Sequence, residues 1–310
     1  MAHAHSHSHG MEAAVAMRRA SNRRRMRAAL AINAGMLVVA VAGGLLFDSL
    51  ALLADAGHVL SDLGAILLGL AAAGLAARGG GPRRTFGLHR GEVLAALVNG
   101  LVLVALAVLI VVAAIGRLAD PPQIDGAGVL LVGVMGLAGN AWATWVLARG
   151  ERSDVNLEAV LRHSAADALG SVAVVLSAVA VLAFGWTEAD PVASLSIAAL
   201  ILVSSVRLVR EPLDVLMESA PPGVDVEEVG GAICGVGGVR SVHELHVWTV
   251  TSGFDALAAH VVTARGADRD GVRRELEYVL RDRFGIEHTT LQMEEQGDES
   301  SLLQVKLQRR

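Results

Sequence analysis

The stretch LALLADAGHVLSDLGAILLGLAAAGLAA, residues 50–77, is long and apolar enough to cross a bilayer, yet it contains three ionisable side chains. A helix needs about 20 apolar residues to span a membrane, and this stretch has 28. Asp55, His58 and Asp62 lie within eight positions of one another. Ionisable groups inside a bilayer are costly and rare, and they usually mark an ion or proton pathway. The stretch therefore predicts a membrane helix that carries a functional site.

Five other segments have the length and composition of membrane spans, in a chain of 310 residues of which 53% are hydrophobic. The six predicted spans are 28–47, 50–77, 91–117, 126–148, 156–184 and 191–209. Arginines cluster before the first span, after the sixth, and in the loops after the second and fourth. The other loops are mainly acidic and contain Asp48, Asp120, Asp125, Glu188 and Asp190. The positive-inside rule therefore predicts a multi-pass protein of the inner (cell) membrane with both termini in the cytoplasm.

The composition changes at about residue 213, where charged residues become frequent and spanning segments end. The periodicity then predicts a helix, two strands around the turn TSGF, a second amphipathic helix and a final strand. This order makes a small α+β domain. Four regions are predicted: a His-rich, basic cytoplasmic segment at 1–27, an all-α six-helix transmembrane domain at 28–212, a cytoplasmic α+β domain at 213–296, and a polar tail at 297–310.

The second and fifth spans share a histidine–aspartate spacing. His58 and Asp62 are four residues apart, so they project from one face of a helix. The motif LRHSAADALGSV repeats the spacing with His163 and Asp167. If the two helices pack face to face, two imidazoles and two carboxylates meet at one point, which is a ligand set that tetrahedral Zn²⁺ accepts. Thiolate clusters are excluded because the chain has one cysteine, which argues against a copper(I) site.

Other polar residues have two interpretations each. Asp55 precedes His58 by three positions and shares its helix face, where it is either a partner of the metal ligands or part of the proton path, or else a structural contact between helices. Asn99 and Asn140, in the third and fourth spans, are predicted to form interhelical hydrogen bonds rather than to bind metal. The alternating histidines of the amino terminus either capture metal or form a tag; they are His3, His5, His7 and His9.

Five motifs resemble those of the cation diffusion facilitator family: ADAGHVLSDLGA, TFGLHRGEVLAALVNG, HSAADALGSV, ADPVASLSIA and SVHELHVWTVTSG. More narrowly, they resemble the zinc-transporting branch of bacterial cobalt-zinc-cadmium resistance proteins. The resemblance implies a homodimer of six-span protomers in the lipid bilayer, each exporting a divalent cation in exchange for protons. It also implies that His58, Asp62, His163 and Asp167 form the transport site, and that the cytoplasmic domain is metallochaperone-like, with a ferredoxin-like order of elements.

The resemblance also implies a regulatory zinc site in the cytoplasmic domain. His243, His260 and Glu294 correspond to positions that bind zinc in some members of the family. Gln292 stands where those members have a further histidine, which is a better ligand. Strict alternation along the first strand predicts that His243 and His246 lie on opposite faces of the sheet and do not share a metal.

The predicted function is secondary active export of Zn²⁺, or of another divalent cation, in exchange for H⁺. Zinc is then the transported substrate and a regulatory ligand, and the modest net charge of −5 gives no reason to expect a nucleic-acid partner. Two alternatives stay open: a membrane-embedded zinc-dependent enzyme, and a metal-sensing scaffold without transport. The enzyme requires a general base beside an open metal position, and no additional catalytic pairing is evident near the four ligands. The chain is therefore not predicted to be an enzyme.

Overall fold

The computed structural model describes residues 31–76, 81–148 and 156–295 of the chain. Its described residues form two compact units. One comprises the chain up to Leu67 together with Val98–Arg207, and the other comprises Leu68–Leu97 and the chain from Leu208 onward. The predicted tail at 297–310 lies outside the described residues. So do the predicted metal-capturing residues His3, His5, His7 and His9.

Long apolar helices account for most of the chain before residue 217. In chain order they are α1 (described over Ala31–Leu46), α2 (Leu50–Ala76), α3 (Arg90–Ala119), α4 (Gly126–Ala148), α5 (Asn156–Phe184) and α6 (Ala189–Leu216). Among the described residues, four stretches are long and apolar enough to cross a membrane; they lie in α2, α3, α5 and α6. The described parts of α1 and α4 contain shorter apolar helices, Ala31–Leu46 and Gly126–Trp142.

The predicted spans and the helices differ mainly at the end of α6. The sequence predicts a span that ends at residue 209, but the helix continues to Leu216 through a polar segment that contains Pro212. Hydropathy marks only the part of a helix that suits the bilayer. A polar continuation keeps its backbone hydrogen bonds in water and leaves no trace in an apolar pattern.

Buried alanines lie at the centre of the first unit among larger buried residues such as Leu52, Leu103 and Ile201, and many other large side chains point outward. The buried alanines include Ala51, Ala54, Ala107, Ala178 and Ala198, each at most 1% exposed. Small residues allow helix backbones to approach closely inside a membrane. In contrast, Leu109 is 67% exposed and Val203 is 75% exposed. This arrangement suits helices whose outer faces contact lipid.

The second unit contains the C-terminal α+β domain in the predicted order of elements. These are α7 (Val226–Cys234), β1 (Val239–Thr251), β2 (Phe254–Thr263), α8 (Arg269–Phe284) and β3 (His288–Glu295). The sheet order is β1-β2-β3, with β1 antiparallel and β3 parallel to β2. The helices α7 and α8 cover one face of the sheet, and they bury Ile233, Leu257 and Leu276 completely. On β2, Ala258 and His260 alternate with the buried residues and face the other side of the sheet.

A β-bulge corrects the prediction that His243 and His246 lie on opposite faces. The register of β1 against β2 shifts between these histidines, and Glu244 within the shift has a φ of 49°. An extra residue in one strand reverses the alternation beyond it. His243 therefore pairs with His260, and His246 pairs with Ala258, two residues away on the same face of β2. His246 nevertheless belongs to a different cavity, which Trp248 also lines.

Candidate metal sites

Three of the four residues predicted to bind the transported metal lie together between α2 and α5. Nε2 of His58 is 3.1 Å from Oδ1 of Asp167 on α5 and 3.9 Å from Oδ2 of Asp62 on its own helix. One donor atom from each residue lies within 4.8 Å of the others. The side chains are 13–24% exposed, so a metal ion would reach them with most of its water removed. An imidazole and two carboxylates suit a zinc ion.

The fourth predicted ligand, His163, belongs to α5 but its side chain lies outside the described residues. It precedes Asp167 by four positions within the helix Asn156–Phe184. Residues with this spacing share one face of a helix, one turn apart. The helical backbone is therefore consistent with the predicted set of four ligands, and the contribution of His163 stays a prediction.

A chain of buried and half-buried polar groups continues from the cluster to α4. The Ser171 hydroxyl donates a hydrogen bond to the Asp55 carboxylate, and it accepts one from Nδ2 of Asn140 at 3.3 Å. Elsewhere on α2, Ser61 donates to Oδ1 of Asn99 on α3 at 3.1 Å. These contacts confirm the prediction that Asn99 and Asn140 form interhelical hydrogen bonds. Asp55 thus contacts α5 one turn beyond Asp167.

Gly170 allows α2 and α5 to approach at this point. A Cβ atom on Gly170 would lie 2.8 Å from Oδ1 of Asp55, which is closer than side chains tolerate. Gly170 itself is buried. Neither Gly170 nor Ser171 was predicted from the sequence, because a small residue on an apolar helix gives no signal until its neighbour is known.

We expect Gly170→Ala to weaken metal transport about tenfold. Overpacking of a tight contact costs about 1–3 kcal/mol, and 1.4 kcal/mol corresponds to a factor of ten in an equilibrium constant. The added methyl group would push Asp55, and α2 with it, away from Asp167. Gly136→Ala is the matched control, because its Cβ would meet Ser171 Oγ at an ordinary 3.7 Å. Equal initial rates of metal uptake for both variants in proteoliposomes would contradict this account.

A second cluster lies on the sheet of the C-terminal domain, on the face that carries His260. Nε2 of His243 is 3.1 Å from Oε2 of Glu294, and Nδ1 of His260 is 2.7 Å from Oε1 of the same carboxylate. The two imidazole rings lie 5.0 Å apart between centroids. Three adjacent strands contribute one residue each, and their donor atoms meet within 4.8 Å. The structure thus brings together the three residues that the resemblance singled out.

Two further side chains approach this cluster. Nε2 of Gln292 donates a hydrogen bond to Oε1 of Glu294 at 3.0 Å, so Gln292 orients the carboxylate from the same strand. Oε2 of Glu244 is 3.4 Å from Nε2 of His260. Glu244 was not predicted, because the bulge that turns it toward His260 leaves no periodic signal in the sequence.

The histidines also set the charge state of Glu294. Burial raises the pKa of this carboxyl, but hydrogen bonds with His260, His243 and Gln292 outweigh the burial and hold its pKa below the usual range. A carboxylate that stays ionised is ready to bind a cation. The donor set of two imidazoles and one carboxylate therefore fits a zinc ion.

Comparison with known proteins assigns the chain to a family. A model of the cation efflux transmembrane domain matches residues 26–217. A model of the cytoplasmic domain of cation efflux proteins matches residues 221–296. The chain belongs to the cation efflux family. Members of this family are membrane proteins that transport metal cations and are not enzymes, and the resemblance to bacterial zinc-transporting members is confirmed.

Several relatives resemble this cation efflux protein over most of their length. The cadmium, cobalt and zinc/H(+)-K(+) antiporter of Bacillus velezensis is 36% identical over 88% of this chain and 89% of its own. Zinc transporter ZitB of Escherichia coli is 38% identical over 89% and 88%. The metal cation efflux system protein CzcD of Cupriavidus metallidurans is 38% identical over 88% and 87%.

Proposed function

We propose that this protein exports Zn²⁺ from the cytoplasm in exchange for H⁺. The binding site is His58 and Asp62 of α2 together with His163 and Asp167 of α5. The observation that carries the proposal is the convergence of His58, Asp62 and Asp167 from two apolar helices, with donor atoms within 4.8 Å of one another. Ionisable groups at membrane depth are expensive unless they serve an ion or proton pathway.

The exchange follows from the chemistry of the ligands. Zinc binds neutral imidazoles and ionised carboxylates, so metal binding expels the protons that these groups would otherwise hold. Histidine changes its charge close to neutral pH, which makes the competition effective under cellular conditions. If the site opens to the cytoplasm in one conformation and to the outside in the other, each zinc ion that leaves is replaced by protons. Asp55 supports the ligands by holding α2 against Ser171 of α5.

The choice of metal rests on the two histidines. Nitrogen-rich coordination favours Zn²⁺, and the same ligands also suit Co²⁺ and Ni²⁺, whereas Cd²⁺ fits less well. The names of the relatives include zinc, cobalt and cadmium, and this supports a divalent transition-metal substrate. A scaffold that senses metal without transport is the remaining alternative.

The proposed architecture is a homodimer of six-span protomers in the inner membrane, with regions 1–27 and 213–296 and both termini in the cytoplasm. The family model for the cytoplasmic domain carries the name ZT_dimer, which supports dimerisation. Zinc held by His243, His260 and Glu294 would favour one arrangement of the two cytoplasmic domains. This is a shift of a conformational equilibrium by a ligand that binds one state better.

We expect Glu294→Gln to remove zinc binding at the cytoplasmic cluster. Loss of an outer hydrogen-bonding partner weakens metal affinity by roughly 10- to 100-fold, and loss of a ligand should weaken it at least as much. Full-length protein equilibrated with buffered zinc should retain one ion fewer per protomer than wild type. Glu295→Gln is the matched control, because Glu295 pairs with Arg269 at 2.6 Å instead. Unchanged zinc content in Glu294→Gln would contradict the site.

The direct test of the function is zinc uptake by proteoliposomes that contain the wild-type protein. A transporter accumulates zinc above the level in protein-free liposomes, and cobalt and cadmium uptake under the same conditions gives its selectivity. A metal-sensing scaffold binds zinc at the cytoplasmic cluster but shows no uptake. Removal of residues 213–310 further distinguishes a transporter from a scaffold, because a transporter keeps some zinc flux whereas a scaffold has none to lose.

A further inference from the structure

Asp190 is a buried carboxylate that the proposed mechanism does not use. It lies in the motif ADPVASLSIA at the start of α6, where the sequence places it among the acidic loop residues. The structure instead buries it to 1% exposure. A buried carboxylate requires specific partners, since an unpaired charge inside a protein is strongly unfavourable.

All of the hydrogen bonds described for this carboxylate come from the start of α2. The Ser49 hydroxyl donates to Oδ1 at 2.5 Å, and the Leu50 backbone N–H donates to Oδ2 at 2.7 Å. The Ala51 N–H lies 3.3 Å from Oδ2. The first N–H groups of a helix have no partner within the helix. Ser49 already accepts from the Leu52 N–H at 3.2 Å, so Asp190 serves the two remaining positions.

The contact is a helix cap supplied by a different helix. A carboxylate at a helix N-terminus is favoured by the helix dipole, and hydrogen bonds to a charged acceptor are stronger than neutral ones. Asp48, the residue before Ser49, is bound by Arg117 at the end of α3. The guanidinium of Arg117 donates hydrogen bonds to the Asp48 carbonyl at 2.5 Å and to Asp48 Oδ1 at 2.6 Å. The turn that leads into α2 is thus held from both α3 and α6.

The start of α2 is close to the metal ligands along the helix. His58 follows Leu50 by eight residues, which is about 12 Å along the axis at 1.5 Å per residue. A hydrogen-bonded helix transmits a shift at its start to residues two turns away. Metal–ligand distances in well-formed sites lie within about 0.2 Å of ideal values. A small rotation or slide of α2 would therefore separate His58 and Asp62 from Asp167.

We propose that Asp190 is a positioning residue of the transport site. It fixes the start of α2 to α6 and thereby sets the rotation and depth at which His58 and Asp62 meet Asp167. The inference rests on the proposed function for the identity of the site. It also gives a physical role to ADPVASLSIA, in which Ala193 and Ser194 are buried as well and allow α6 to pack closely.

The test measures zinc affinity in the full-length protein carrying Glu294→Gln, so that the cytoplasmic cluster does not contribute. Zinc affinity is determined by competition with a chromophoric chelator, and the KM for zinc uptake is determined in proteoliposomes. We expect Asp190→Ala to weaken both about tenfold without lowering the fraction of folded protein on size-exclusion chromatography. Asp190→Asn keeps the shape and one accepting oxygen, so we expect a smaller loss, and this variant provides the test if the alanine variant does not fold.

A double variant separates positioning from simple helix capping. Ser49→Asp combined with Asp190→Ala restores a cap within α2 but not the connection to α6. We expect its thermal stability to recover while its zinc affinity stays weak. Recovery of wild-type affinity in the double variant would overturn the proposal, as would unchanged affinity in both Asp190 variants. Ser194→Ala is the matched control, since the hydrogen bond described for its hydroxyl stays within α6 and goes to the Asp190 backbone carbonyl at 2.8 Å, not to α2. If wild type binds zinc without transporting it, the proposed function fails while the affinity measurement still tests Asp190.

Discussion

Asp167→Ala is expected to reduce zinc transport by about 100-fold or more. Asp167 is the residue of α5 whose carboxylate lies 3.1 Å from Nε2 of His58. It therefore connects the two helices directly at the proposed transport site. Loss of an outer partner of a metal ligand already costs roughly 10- to 100-fold in affinity, and alanine removes a ligand outright. The measurement is the initial rate of zinc uptake by proteoliposomes at equal protein content.

The control for this result is an aspartate on a helix surface. Asp214 of α6 is 56% exposed and faces Arg210 at 3.8 Å, and exposed pairs of this kind contribute little. Asp214→Ala should therefore transport zinc at nearly the wild-type rate. Zinc uptake by Asp167→Ala within a factor of two or three of wild type would show that Asp167 is not a ligand of the transported ion.

His163→Ala is expected to abolish the release of protons that zinc drives from proteoliposomes. In the proposed exchange the imidazole holds a proton when the site lacks metal and gives it up when zinc binds. The variant removes both a zinc ligand and a proton carrier. We expect proton release to fall to the level of protein-free liposomes, as followed with a pH-sensitive dye after addition of zinc.

His246→Ala is the matched control for His163→Ala. This histidine lines a cavity with Trp248 in the cytoplasmic domain, outside both metal clusters. Its replacement should leave zinc-driven proton release unchanged. Undiminished proton release from the His163→Ala variant would contradict the assignment of His163 to the site. Asp167 would then be the one proposed ligand on α5.

The cluster of His58, Asp62 and Asp167 was predictable because its sequence signal repeats. One histidine–aspartate pair in an apolar helix has an ordinary explanation as a contact between helices, but the same spacing in two spans indicates a shared site. The contact between His58 and Asp167 agrees with that reasoning. Helix periodicity is local, so the face on which each residue lies follows from the sequence. The helix that supplies the partner residues is indicated only by the second occurrence of the same spacing.

The cytoplasmic cluster depends on information that the periodicity does not contain. His243, His260 and Glu294 meet only because β3 runs parallel to β2 and pairs His260 with Gln292. The alternation of side chains along a single strand does not determine which residues of the neighbouring strand it pairs with. The three residues were therefore predicted by resemblance alone. The bulge at Glu244 explains why strict alternation placed His246 on the wrong face.

The burial of Asp190 also could not be predicted from the sequence. Its sequence neighbours are a loop and a proline, so it is predicted to be one of the charges outside the membrane. The structure buries it because the N–H groups of another helix need an acceptor at that point. The Leu50 N–H that donates to Asp190 is 140 residues away in the chain, so no local sequence pattern indicates the contact. Capping between helices is therefore visible only once the helices are packed.

The central claim is that zinc and protons exchange at one site, and a flux measurement under an imposed pH gradient tests it most directly. Proteoliposomes of the wild-type protein are loaded with acidic buffer and diluted into neutral buffer with zinc at equal concentration on both sides. We expect zinc to accumulate inside while the lumen becomes more alkaline, and we expect a reversed pH gradient to reverse the zinc flux. Zinc movement that is indifferent to the pH gradient in both directions would contradict the central claim.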